Sequence, residues 1–106
     1  MGVIHPDICK AETLPSNYYT DQNIYLELLQ KFHSSWNFIG LESMLEENSI
    51  MPISIGETPM LLTKTDSQIY CVSNVCTHRG MILCQENKTT STIMCPYHGR
   101  TFSLNG

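Results

Sequence analysis

Two short segments each place a cysteine and a histidine within a few residues of one another. They are Cys76-Thr77-His78-Arg79-Gly80 and Cys95-Pro96-Tyr97-His98-Gly99. Each offers one thiolate and one imidazole, the two softest ligand types a protein has. Sixteen residues separate His78 from Cys95, enough for a short excursion and one strand, so the segments can return face to face as opposed loops. Pro96 fixes its own φ and stiffens the second of them. Structural zinc sites favour Cys-x(2–4)-Cys and His-x(3–5)-His spacing. Cys76-x-His78 does not fit that spacing, and a zinc-binding structural module stays as the remote alternative. No Gly-rich phosphate loop and no Ser/His/Asp arrangement accompanies these segments, so no residue is assigned a catalytic role.

The elements that position the loops follow from periodicity. Residues 1–20 read as an irregular N-terminal arm with Pro6 and Pro15. Residues 21–40 read as an amphipathic helix, capped by Thr20 or Asp21 and stopped near Gly40. Its apolar stripe is Ile24, Leu28, Phe32 and Trp36, with Trp36 expected as a core anchor. Met44–Asn48 suggests a short helical turn. From residue 50 the chain is rich in Ile, Val, Thr, Tyr and Met. It predicts short strands at Met51–Ile55, Met60–Thr65, Ile69–Asn74, Thr92–Met94 and Thr101–Leu104, with a hairpin loop over Lys64–Gln68. The fold class is therefore mainly β, a small antiparallel domain over residues 41–106 behind an arm and a helix.

Composition narrows the partners. The 106 residues carry a net charge of -4, a pI near 5.4 and 15% charged side chains. One domain with a modest core fits that length. The absence of a basic stripe argues against nucleic acid, and no run approaches the ~18 to 20 apolar residues of a membrane span. Five cysteines, an odd count without an apolar signal core, argue against a disulfide framework and for a cytoplasmic chain. Cys84, beside Ile82 and Leu83, and Cys71, between Tyr70 and Val72, both read as buried core thiols. Cys9 in the arm, His5 and His33 have no partners at ligand spacing.

The pattern Cys-x-His, sixteen residues, Cys-x-x-His resembles the Rieske [2Fe-2S] signature. That resemblance implies that Cys76 and Cys95 hold one iron and that His78 and His98 hold the other. Gly80 and Gly99 are then expected to let backbone N–H groups approach the sulfide ions, with Pro96 and Tyr97 completing the supporting loop. "TLPSNYYTD" (13–21), "WNFIG" (36–40), "VCTHRG" and "CPYHGRTFSLNG" look like the N-terminal part of Rieske non-heme iron, ring-hydroxylating type oxygenase α subunits. The resemblance implies one-electron transfer to a mononuclear Fe(II) that activates O₂, in a catalytic domain absent from these residues. It also implies an electron donor, either a ferredoxin or a flavin reductase, and a homotrimer at full length. A free-standing Rieske-type ferredoxin is the alternative reading. The domain is expected to be incomplete at its C-terminus, because Asn105-Gly106 is a hairpin signal with no returning strand after it, and its cluster is expected to be less protected.

Departures from the respiratory Rieske pattern matter too. Met81 and Tyr97 stand where those proteins carry an extra disulfide-bonded pair, and Arg100 stands where they place a serine that donates to a sulfide. Fewer hydrogen bonds to sulfur predict a potential near the low end of the family's range of roughly -150 to +300 mV. Arg79 and Arg100 read equally as solvated loop residues or as a positive docking rim for an acidic partner.

Overall fold

The computed structural model describes residues 5–106, and the chain divides between Asn37 and Phe38 into two units. The expected arm therefore lies partly, at residues 1–4, outside the described residues. The first unit holds a single 3-10 turn at Ile8–Lys10, a one-turn helix α1 (Asn17–Thr20) and a longer helix α2 (Gln22–His33). Asp21 starts α2, its carboxylate accepting from Asn23 N–H at 2.8 Å and Ile24 N–H at 3.4 Å, as an N-cap should. The helix ends at His33, where Ser34 Oγ folds back onto the Gln30 carbonyl at 3.0 Å. Gly40 lies beyond that end. The apolar stripe is only partly covered: Ile24 and Leu29 are half-buried, while Tyr25, Leu28 and Phe32 are exposed. Trp36 is fully exposed, which corrects the expected core anchor. Among the described residues of this unit the single turn of α1 packs on α2, and none of these residues is buried.

The second unit is built on three consecutive antiparallel strands. β1 (Ser49–Ile55) turns through Gly56-Glu57 into β2 (Thr58–Thr65), which turns through Asp66-Ser67 into β3 (Gln68–Ser73). Both turns have two residues, and each meets its geometric demand. Gly56 sits at φ +61, and Asp66 and Ser67 sit at +52 and +61; positive φ lets a two-residue turn follow the twist of its strands. A fourth strand, β4 (Lys88–Thr89), pairs with Ser49 and Ile50, giving the order β3-β2-β1-β4. Pro52 is tolerated in β1 because β4 reaches no further than Ile50, which leaves Pro52 on an open edge where no ladder donor is needed.

Alternation assigns the two faces of this sheet. Ile50, Leu61 and Thr63 point to one side, and Met51, Leu62 and Ile53 point to the other, where Leu45 joins them. A second sheet of two strands, β5 (Thr92–Met94) and β6 (Thr101–Ser103), supplies Ile93, Leu104 and part of Phe102 to the first face. Leu61 and Ile93 are essentially inaccessible to solvent, and full burial of such side chains stabilises by about 1.5–3 kcal/mol each. A hydroxyl bridges the sheets, with Thr63 Oγ1 donating to the Leu104 carbonyl at 2.5 Å. The helical turn expected at Met44–Asn48 is not formed there; a 3-10 turn lies just before it, at Glu42–Met44. At the other end, Gly106 N–H donates to Ser103 O at 2.9 Å. Leu104 and Asn105 are thus the central turn residues, one position earlier than Asn105-Gly106 had suggested.

Candidate metal centre

The two Cys/His segments form the same backbone device twice. Gly80 N–H donates to the Cys76 carbonyl at 3.0 Å, and Gly99 N–H donates to the Cys95 carbonyl at 3.0 Å. Cys76 N–H donates to Met81 O at 2.8 Å, and Cys95 N–H to Arg100 O at 2.7 Å. Each loop therefore closes four residues after its cysteine, on a glycine at φ +69 or +75. An added Cβ at either glycine meets nothing within 4 Å of this chain. Positive φ, rather than crowding within the protein, is what selects glycine here. In this register the histidine stands two residues after the cysteine in loop 1 and three after it in loop 2, so Tyr97 takes the place of His78.

Different supports present the two loops. Loop 2 is the tip of the β5–β6 hairpin. Loop 1 is closed by the bridge Val75↔Ile82 and anchored by Asn74, which lies directly before it. The Asn74 side chain donates to Cys84 O at 2.7 Å and accepts from Cys84 N–H at 2.9 Å. Its backbone bonds Pro59 O and Leu83 N–H, each at 3.0 Å.

This framework brings the four expected donors together as two pairs. Cys76 and Cys95 are buried, with 3% and 2% of their surface exposed, beneath the loops. His78 and His98 are exposed, with ring centroids 5.0 Å apart. Tyr97 stacks against His98 at 3.8 Å with an interplanar angle of 32°. The Cys95 thiol is held below its ordinary pKa by the backbone N–H of Tyr97. Burial opposes that effect, and the N–H of His98 and the Cys76 thiol reinforce it; N–H groups aimed at sulfur favour the thiolate. Among the described residues no three His, Cys, Asp or Glu side chains converge on a single ion.

The remaining candidates fall around these pairs. Pro96, Arg79 and Arg100 are exposed. Arg100 is also bonded across the site, its Nη1 donating to Thr77 Oγ1 at 3.0 Å. Cys84 is buried, its thiol donating to Glu86 O at 3.0 Å. Cys71 is exposed, which corrects the expected core thiol: in β3 it shares a face with Ile69 and Ser73, while Tyr70 and Val72 turn inward. His5 and His33 stand exposed in the first unit. Asn74, Thr63 and the Arg100–Thr77 bond were missed by sequence reasoning. Only the lone polar Asn74 at the end of an apolar strand offered a signal. A concavity of about 330 Å³ is lined by Met44, Met51, Lys88 and their neighbours, with no donor in its lining.

Comparison with known proteins agrees with this geometry. Residues 35–106 match the Rieske [2Fe-2S] domain family. The chain belongs to that family. It is 31% identical over 98 residues to a glycine betaine monooxygenase oxygenase subunit of Pseudomonas aeruginosa, covering 89% of this chain and 23% of the relative. It is 32% identical over 100 residues to the chloroplastic choline monooxygenase of Arabidopsis thaliana, covering 92% and 24%. Among solved structures it is similar to the quaternary ammonium Rieske monooxygenase CntA, with a TM-score of 0.82 and 28% identity over 91% of this chain and 28% of that one. It is also similar to naphthalene 1,2-dioxygenase from Rhodococcus sp., with a TM-score of 0.77 and 29% identity over 87% and 22%. The chain thus spans about a quarter of the length of the curated relatives it matches. The group this family carries is a [2Fe-2S] cluster. Two buried thiols, one of them biased toward thiolate, and two exposed imidazoles are the donor set such a cluster takes.

Proposed function

We propose that Cys76 and Cys95 bind one iron of the [2Fe-2S] cluster, that His78 and His98 bind the other, and that the chain relays single electrons. The observation that carries this reading is the pair of congruent loops with thiols beneath and imidazoles above. When bound, the cluster supplies a one-electron redox couple. The chain supplies the surroundings. Burial of Cys76 and Cys95 keeps water from the sulfur side, and the N–H groups of Tyr97 and His98 stabilise negative charge at Cys95. The exposed imidazoles form the face at which electrons enter and leave, and Tyr97 packs against one of them. Arg79, next to His78, meets an acidic donor, either a ferredoxin or a flavin reductase, and acts mainly on the docking rate.

On this reading the chain is the N-terminal part of an oxygenase α subunit. It passes electrons to a mononuclear Fe(II) site in a catalytic domain that these residues do not contain, in a full-length homotrimer. The match along about nine-tenths of the chain includes residues before the cluster domain, and it favours this reading over a free-standing ferredoxin. The glycine betaine, choline and CntA relatives favour a quaternary ammonium substrate for the whole protein. Five unpaired cysteines suit a reducing compartment, and the reading places the protein in the cytoplasm. Among the described residues no helix is long and apolar enough to cross a membrane.

Anaerobic reconstitution with iron and sulfide tests the relay. The expected product is reddish-brown, with a reduced-state EPR signal and a midpoint near the low end of roughly -150 to +300 mV. A colourless, zinc-loaded chain contradicts the relay, and a midpoint above about +100 mV, in the upper part of that range, contradicts the account of its sulfur environment. Electron-transfer rates for Arg79→Glu that match wild type at every ionic strength contradict the docking role.

A further inference from the structure

We infer that Arg100 is a positioning residue that clamps the two loops of the centre together through Thr77. The inference rests on the cluster reading above and extends it to two residues outside the ligand set. Every backbone bond that shapes loop 1 stays within loop 1, and every one that shapes loop 2 stays within loop 2. Among the described residues, the Arg100 Nη1–Thr77 Oγ1 bond of 3.0 Å is the one hydrogen bond between loop side chains besides the approach of the two thiols. Its ends are well placed. Thr77 lies between Cys76 and His78, and Arg100 lies two residues after His98.

The bond joins segments 23 residues apart, and it is held at both of its ends. Thr77 belongs to a loop closed by the Cys76–Met81 and Gly80–Cys76 bonds. Arg100 accepts the Cys95 N–H through its own carbonyl, and its guanidinium lies 5.9 Å from the centroid of Phe102, which packs on the core. Arg100 makes no ion pair with a carboxylate among the described residues. Its guanidinium is therefore committed to the hydroxyl across the site. A shift of loop 1 against loop 2 changes the spacing of the thiol pair and of the ring pair at once, so a single bond here acts on all four donors.

The test separates the clamp from the charge. Thr77→Val removes the acceptor and leaves the arginine charge in place, while Thr77→Ser keeps the hydroxyl. Arg100→Lys keeps the charge and loses the planar fork. Two readouts are taken: chelator-driven iron release from the reconstituted chain, and amide hydrogen exchange in the cluster-free chain. Loss of one hydrogen bond of ordinary strength corresponds to about a five-fold effect. Release is expected to be about five-fold faster in Thr77→Val and Arg100→Lys and unchanged in Thr77→Ser. In the cluster-free chain, exchange at the Cys76, Gly80, Cys95 and Gly99 amides is expected to rise in Thr77→Val more than at Leu61 or Thr63. Wild-type release and exchange in Thr77→Val overturn the clamp. So does a rise shared equally with Leu61 and Thr63, which marks general weakening. A wild-type chain that binds no cluster overturns the cluster reading instead, and the exchange measurement still decides the clamp.

Discussion

Replacing Asn74 by alanine tests how loop 1 is held. The 3%-exposed Asn74 side chain makes two bonds to the backbone of Cys84, at 2.7 and 2.9 Å. Alanine removes both and leaves the N–H and C=O of Cys84 to find new partners, while the backbone bonds of residue 74 to Pro59 and Leu83 remain. Each lost bond is worth about 0.5–1.5 kcal/mol, and each buried polar group left unpaired costs about 1–3 kcal/mol. The bond and desolvation terms overlap, and the freed Cys84 groups recover part of the penalty through new partners, so the net loss is about 2–4 kcal/mol. A unit the size of Phe38–Gly106 has a total stability of roughly 3–10 kcal/mol at typical values per residue, so this one substitution removes a large share. Urea unfolding followed by far-ultraviolet circular dichroism measures it. With a slope near 1–1.5 kcal/mol/M the midpoint falls by about 2 M. An unchanged slope with a midpoint shift below about 0.5 M refutes the reasoning, because Asn74 would then carry no net load.

Three further outcomes follow from the same structure. Thr63→Val keeps the shape of a fully buried side chain but leaves the Leu104 carbonyl without its donor; it costs about 1–2 kcal/mol, read as a fall in unfolding midpoint. Gly80→Ala and Gly99→Ala each cost about 1–2 kcal/mol because φ is positive, not because space is short. Equal midpoint shifts for the two are expected, since the loops are congruent. Although Cys71 is exposed, partial desolvation by its neighbours raises its thiol above its ordinary pKa. The folded state therefore favours the protonated thiol, and that contribution is present at low pH and lost as pH rises through the folded value. Iodoacetamide labelling of Cys71, followed by mass spectrometry, should accelerate at a higher pH in the folded chain than in urea.

Much of this arrangement was legible because its signals are local. Alternation and turn residues located β1, β2, β3, β5 and β6 to within two residues at each end, and of the two candidate caps, Thr20 and Asp21, it is Asp21 that starts α2. The four donors stood out by type and spacing, and the structure sets the two thiols near each other and the two imidazoles near each other. What escaped lacked a local signal. β4 is two residues in the polar run Asn87–Thr90, paired through Ser49 and Ile50. The Thr63, Asn74 and Arg100 bonds join residues 41, 10 and 23 positions apart, distances over which pattern reading is blind. Trp36 shows the opposite failure. It continues the four-residue period of Ile24, Leu28 and Phe32, but α2 ends at His33, so Trp36 lies beyond the helix whose face that period describes. Cys71 has apolar neighbours in Tyr70 and Val72, but its position in the two-residue alternation of β3 decides its exposure.

The central claim is that two cysteines hold one iron and two histidines the other. Pulsed EPR on the reduced, reconstituted chain carrying ¹⁵N-labelled histidine measures this directly. The account predicts coupling to two histidine nitrogens, one of which disappears in His78→Ala and the other in His98→Ala, with His5 and His33 contributing nothing. A reduced cluster with no histidine coupling, or with coupling that survives both substitutions, contradicts it.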